Sequence, residues 1–217
     1  MLSTVAWQLD GKLTYALEGA VYIAGALVQW LRDGLKIIER SSEIEQLALQ
    51  EGHSGGITIV PALSGLGAPH WDAYARGTIM GITRGTNDSH IAYAALEAIA
   101  LSTTDVLEAM AKDLGTTLKA IKVDGGASAN DTMMQLQANI LRCPVIRPAE
   151  TESTALGAAL LAGLGIGHWK NLKELKLLLN VDRSFEPEPL DQHVLRDQWH
   201  RAIEACKGWI QKGVDVD

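Results

Sequence analysis

The ten residues Ile121-Lys122-Val123-Asp124-Gly125-Gly126-Ala127-Ser128-Ala129-Asn130 constrain the fold more than any other stretch of the 217-residue chain. A short apolar strand runs into two adjacent glycines and then into a helix start, with the helix predicted to about residue 141. Beyond it, 144–147 reads as a short strand stopped by Pro148, and 152–164 as a helix rich in Ala and Gly. Strand, helix, strand, helix at this spacing marks strands joined by helical crossovers. It predicts an α/β layer structure with helices on both faces of a mixed sheet. The paired glycines carry no Cβ, so a flat ligand or a phosphate can approach the backbone there. The helix start adds unpaired N–H groups and a partial positive charge, and Ser128, Asn130 and Asp131 are candidate caps. A plain tight β-α turn uses the same residues, and the segment alone does not separate the two readings.

Upstream, 3–9 and 12–17 are strand-like runs on either side of Asp10-Gly11, a strong hairpin signal. Between 19 and 36 the period shifts to three and four, and Val21, Ala24, Val28, Leu31 and Leu35 draw one helical face. A short surface helix is predicted within 39–51, strands at 57–63, 78–82 and 118–123, and the longest helix at 89–114. The Gly- and Pro-bearing stretch 64–76 fits no regular element. The tail holds a Pro-bearing joint at 185–189 and an amphipathic helix over about 191–212. Nothing resembles a linker before about residue 182, so one domain is the simplest count.

Charge and cysteine content narrow the function. Lys+Arg 19 against Asp+Glu 26 leaves a net charge of −7, which argues against a nucleic-acid or membrane-surface partner. Two cysteines, Cys143 and Cys206, make no disulfide framework and fit a reducing, cytoplasmic setting. There is no Lys/Arg-headed apolar leader and no run of eighteen apolar residues, so neither secretion nor membrane spanning is expected.

Other segments are candidates for a site. Gly25 and Gln29 lie one helical turn apart, beside the apolar stripe. A glycine inside a helix costs roughly 1 kcal/mol relative to Ala, so close approach of a neighbouring helix or of a ligand is expected there. The run 61–72 is too apolar for a free loop and too broken for an element; it either lines a cleft or packs under a domain edge. Asp72 is a conceivable acid/base, although an ion pair with Arg76 is the favoured reading. His193 and His200, seven apart, read as a solvated helix face rather than a metal pair.

Two spaced blocks carry a family resemblance. Gly77-Thr78-Ile79-Met80-Gly81-Ile82, followed after seven residues by His90-Ile91-Ala92-Tyr93-Ala94-Ala95-Leu96-Glu97, resembles the second signature of the FGGY carbohydrate kinases. Tyr15-Ala16-Leu17-Glu18-Gly19, the Gly25 stretch ending Gln29-Trp30-Leu31-Arg32-Asp33, and segments 64–72 and 123–130 resemble that family in order and spacing. The likeness covers about residues 1–187, with the tail helix fitting more loosely.

The resemblance implies a ribonuclease-H-like lobe of the actin, hexokinase and heat-shock-70 superfamily, one of two lobes flanking a cleft. Residues 1–187 would be the C-terminal ATP-binding lobe, truncated at its N-terminal edge with its first strand missing. Residues 188–217 would be a helical tail packed on the same lobe. By the same likeness Gly25, Gln29, Gly126 and Asn130 contact ATP or ADP, while Gly65, Gly67, Asp124 and Gly125 line the cleft. The catalytic base, the acceptor-binding side chains and most Mg²⁺ ligands would belong to the part preceding this sequence. No catalytic or metal-binding residue is therefore expected in the chain, which is expected to be inactive alone. The wording of 64–72 and 123–130 favours glycerol, met only through the missing lobe, as phosphoryl acceptor. A pentulose acceptor is one alternative; a nucleotide-binding or assembly remnant without catalysis is another. Self-association, or association with the missing lobe, is also implied.

Overall fold

The computed structural model describes residues 1–9 and 11–211, which fall into two compact units: Met1–Thr117 with Leu190 onward, and Leu118–Pro189. The first unit opens with the antiparallel pair β1 (Leu2–Leu9) and β2 (Lys12–Glu18), with a bulge between Val5 and Trp7. Asp10 of the expected turn lies outside the described residues. Helix α1 (Gly25–Asp33) is shorter than its apolar pattern predicts. Only Leu27, Val28 and Leu31 are buried on it, and Leu35 is exposed. The physical reason is at the ends: Ala24 supplies no side-chain cap, and Gly34 and the left-handed Lys36 (φ 57°) close the other side.

A 3₁₀ turn at Ser41–Glu43 leads into α2 (Ile44–Ala48), which buries Ile44 and Ala48. Strand β3 (Thr58–Val60) is buried throughout and pairs antiparallel with β4 (Thr78–Met80). Helix α3 (Asp88–Leu114) starts at Asn87, whose side chain accepts from the His90 backbone N–H at 3.1 Å, and stops at the left-handed Gly115 (φ 62°). Its face of Ala92, Ala95, Ile99 and Val106 is buried, which lets the helix lie close on α2 and β3.

The second unit runs β5 (Ile121–Lys122), a 3₁₀ turn at Gly126–Ala129, α4 (Asp131–Leu141), β6 (Val145–Pro148), α5 (Ser153–Gly165), α6 (Leu172–Lys176) and β7 (Val181–Phe185). β5 and β6 are parallel with α4 as their crossover, and β7 is antiparallel to β6. The mixed sheet is thus this three-stranded one, while the strands of the first unit form two separate pairs. β7 was not expected from the sequence. Met133, Leu136 and Ile140 of α4 are buried against β6 and β7, together with Val145 and Phe185. The chain returns to the first unit as α7 (Gln192–Cys206), which seats Trp199, Ala202 and Ile203 on β3 and β4. The helix ends at Cys206, short of the expected limit; Lys212 lies outside the described residues. Among the described residues no helix is long and apolar enough to cross a membrane.

One group in the family-like signature titrates unusually. Glu97 of α3 lines a small recess with Ile57, Thr58, Ile59 and Leu195, and burial pushes its carboxyl up to about 7, only partly countered by a hydrogen bond with Ser54. The folded state therefore holds the proton more tightly than the unfolded chain. Stability is fully present below the unfolded value near 4.5 and falls as pH rises through about 7. Glu97→Gln is expected to stabilise the protein at about pH 8.5, by no more than about 3 kcal/mol, and hardly at all at about pH 4.5. Thermal unfolding of both proteins at the two pH values measures this; a gain of equal size at both would contradict it.

Candidate functional site

The turn after β5 is held from several sides. Gly125 adopts φ 76°, a left-handed conformation that favours glycine, and its N–H donates to the Thr151 carbonyl at 2.9 Å. The Gly125 carbonyl accepts from both the N–H and the buried hydroxyl of Ser128, at 3.0 and 2.7 Å. Asn130 is the cap of α4: its Oδ1 accepts from Met133 N–H at 2.7 Å. Of the three candidate caps, Ser128 instead braces the turn, and Asp131 pairs with Arg147 at 2.7 Å. Asp124 is exposed and its carboxylate accepts from the Ser153 hydroxyl. Gly126 faces solvent, and a Cβ built on it would meet nothing within 4 Å. The glycine is therefore not demanded by the packing of the turn, and its surface is free to meet a flat ligand.

Gly25 and Gln29 lie on the exposed side of α1. Gly25 is the first residue of the helix, not an interior one, and a Cβ there also meets nothing within 4 Å. Neither the expected helix-interior cost nor close packing by a neighbouring helix applies. Gly25 and Gln29 belong to the first unit, and Gly126 and Asn130 to the second.

The loop 61–72 is built differently. It carries a cis Ala68–Pro69 bond, and Leu66 and Asp72 exchange two backbone hydrogen bonds of 2.7 and 3.0 Å. A Cβ on Gly65 (φ 88°) would come within 2.9 Å of Ala73 Cα, and one on Gly67 within 2.9 Å of the Ala20 carbonyl. These two glycines are needed by the loop's own close approaches. With Ala20–Ile23 and α7 they border a recess offering about 30 Å³ to solvent, room for one or two waters.

His70 anchors this loop to α3 through Nε2, 3.1 Å from Asp105 Oδ2. Trp199 Nε1 donates to the same oxygen at 2.7 Å, and Arg196 Nη1 lies 3.0 Å from Asp105 Oδ1. That Arg196 nitrogen is off the line of a good hydrogen bond, so its contact is one of charge. Burial alone pushes the Asp105 carboxyl up; His70, Trp199 and the Arg196 charge outweigh it and hold the group below the usual carboxylate range. No sequence signal pointed to this cluster. Asp72 does not pair with Arg76, contrary to the expectation. Its carboxylate accepts from the N–H groups of Gly208 (2.7 Å) and Tyr74 (2.8 Å), while Arg76 donates to the carbonyls of Ala73 and Ala75. The Gly208 N–H holds the Asp72 carboxyl below its ordinary range, which suits a tie between loop and tail and not a proton carrier.

Glu51, His53 and His90 bring ligand atoms within 4.8 Å of one another. The Nδ1 atoms of both rings accept backbone N–H groups, from Gly55 and Asn87, which places the neutral rings' protons on Nε2. Neither ring then presents a free lone pair, and Mg²⁺ in any case prefers oxygen ligands. His193 and His200 are exposed on α7.

Comparison with solved structures gives the class. Over 99% of this chain and 42% of the other, the fold superposes on a Plasmodium falciparum glycerol kinase solved with ADP, with a TM-score of 0.86 and 32% identity. A ligand-bound xylulose kinase from Lactobacillus acidophilus matches 90% of this chain and 40% of its own, with a TM-score of 0.75 and 29% identity. The fold is that of the ribonuclease-H-like lobe of sugar kinases in the actin and hexokinase superfamily. Residues 4–166 match the C-terminal domain of the FGGY family of carbohydrate kinases, and the chain belongs to that family. It is 57% identical over 211 residues to a glycerol kinase of Deinococcus radiodurans, covering 96% of this chain and 42% of that protein. A glycerol kinase of Nitratidesulfovibrio vulgaris is 55% identical over 214 residues, covering 97% and 43%. The chain thus spans under half the length of the curated relatives it matches.

Proposed function

We propose that the chain is the nucleotide-binding part of an ATP-dependent glycerol kinase. The observation that carries this reading is the 57% identity to a glycerol kinase along nearly the whole chain, together with the 0.86 TM-score to a glycerol kinase solved with ADP. Gly126 and Asn130 of the second unit, and Gly25 and Gln29 of the first, are the proposed nucleotide contacts. The open backbone at Gly25 and Gly126 supports the assignment, since nothing in the protein occupies the space a side chain would fill. Gly125 sets the path of the turn, and Gly65, Gly67 and Asp124 are proposed to border the cleft.

Phosphoryl transfer needs alignment and charge stabilisation more than covalent help from the protein. The residues described above hold and orient a nucleotide; none of them is placed here as the base that takes the acceptor's proton. That base, the glycerol contacts and the Mg²⁺ ligands are assigned to the remaining length found in the relatives. A cytoplasmic setting and self-association belong to the same proposal.

The test is a chimera that joins the preceding portion of the Deinococcus radiodurans enzyme to this chain. It is expected to form ADP in the presence of glycerol and to ignore pentuloses, while the 217-residue chain alone turns over neither. A chimera active on a pentulose and inert with glycerol, or turnover by the chain alone, would contradict the assignment.

A further inference from the structure

We infer that Arg147 is a positioning residue that sets the shape of the nucleotide turn; the inference rests on the nucleotide reading of Gly126 and Asn130. Arg147 stands on β6, side by side with Arg183 of β7 across the sheet. Like charges directly opposite are unfavourable, so the arrangement needs compensation. It comes from Asp182, which takes Arg147 Nε at 2.8 Å, and from Asp131, shared by Nη1 of Arg147 and Nη1 of Arg183. Both guanidinium groups also stand over the Phe185 ring, at 5.3 and 4.7 Å from its centre.

The telling bond goes elsewhere. Arg147 Nη1 donates at 2.8 Å to the carbonyl of Ser128, in the middle of the 3₁₀ turn between Gly126 and Asn130. The Ser128 hydroxyl and N–H are already committed to the Gly125 carbonyl. One arginine therefore grips the turn at Ser128 and the first residue of α4 at Asp131. Of the two proposed nucleotide contacts, Asn130 lies between the gripped residues and Gly126 stands two residues before the first of them. With its side chain only 13% exposed and every named bond directed into the protein, Arg147 acts on the turn and not on the phosphates. A planar guanidinium reaches the Ser128 carbonyl, Asp131 and Asp182 at once; an ammonium is a point donor that cannot hold all three in that geometry.

Arg147→Lys in the 217-residue chain tests this, with calorimetric titration of ATP, ADP and AMP and a thermal unfolding curve. A misplaced turn weakens all three nucleotides by the same factor, about tenfold, with an unfolding midpoint close to that of the parent. A loss that grows from AMP to ATP would mean that Arg147 meets phosphate directly, and would overturn the positioning role. Unchanged affinity, or a loss matched by a collapsed midpoint, would overturn it as well. Absence of saturable binding by the parent chain would remove the nucleotide reading and this inference together, which separates the two failures.

Discussion

Replacing Asp105 by Ala is expected to destabilise the first unit by about 3–5 kcal/mol, a large share of what holds a domain of this size. The carboxylate is 7% exposed and answers three groups from two parts of the chain: His70 in the cis-proline loop, and the Trp199 N–H and the Arg196 charge on α7. Its loss leaves the Trp199 N–H without its acceptor. Arg196 keeps only the exposed Glu108, at 2.6 Å. Uncompensated buried donors and charge are what make the removal of one partner costly. Asp105→Asn keeps an acceptor oxygen and is expected to lose less. Because the carboxyl is held below its ordinary range, the stabilisation is present above about pH 4 and fades as the pH falls through the lower, folded value. Urea unfolding followed by circular dichroism reads the difference; a loss under about 1 kcal/mol for Asp105→Ala would show that the cluster is incidental.

The second large effect is on nucleotide affinity. Gly126→Leu places a side chain where the structure leaves open space, so the fold has no reason to object. If a purine lies on that backbone, the same side chain must be displaced or must hold the base away. Overpacking of this kind costs about 1–3 kcal/mol, equivalent to a loss of about 5-fold to about 150-fold in affinity. Gly25 has the same open surroundings, but it starts a helix that lacks a capping side chain, so its variants would mix binding with helix effects. Gly67 is the opposite case: its substitution drives a Cβ to within 2.9 Å of the Ala20 carbonyl, so the fold itself resists it.

Much of this architecture was legible in the residues. The strand-glycine-helix-strand pattern at 121–147 appears as the parallel pair β5 and β6 with α4 between them, because a short apolar run and an Asn cap each have one good structural use. The long α3 was equally plain from its period and its closing glycine. β7 escaped because Val181-Asp182-Arg183-Ser184-Phe185 buries only Phe185 and so shows no apolar alternation. α1 was overextended because Val21 and Leu35 continue the helical spacing into segments that do not form helix. The Asp105 cluster was invisible for a different reason: its partners lie 35 and 94 residues away, and pattern reading sees only neighbours. Asp72 misled by proximity, since Arg76 was the nearest cation in sequence while the N–H of Gly208 was the partner in space. Glycines were the most ambiguous signal, as those at 65 and 67 serve packing and the one at 126 serves nothing in the protein itself.

Titration of ATP into the 217-residue chain and its Gly126→Leu variant, read by calorimetry, tests the central claim most directly. The account predicts saturable binding by the parent, affinity at least about fivefold weaker in the variant, and the same unfolding midpoint for both. Equal affinities, or no saturable binding by the parent chain, would contradict it.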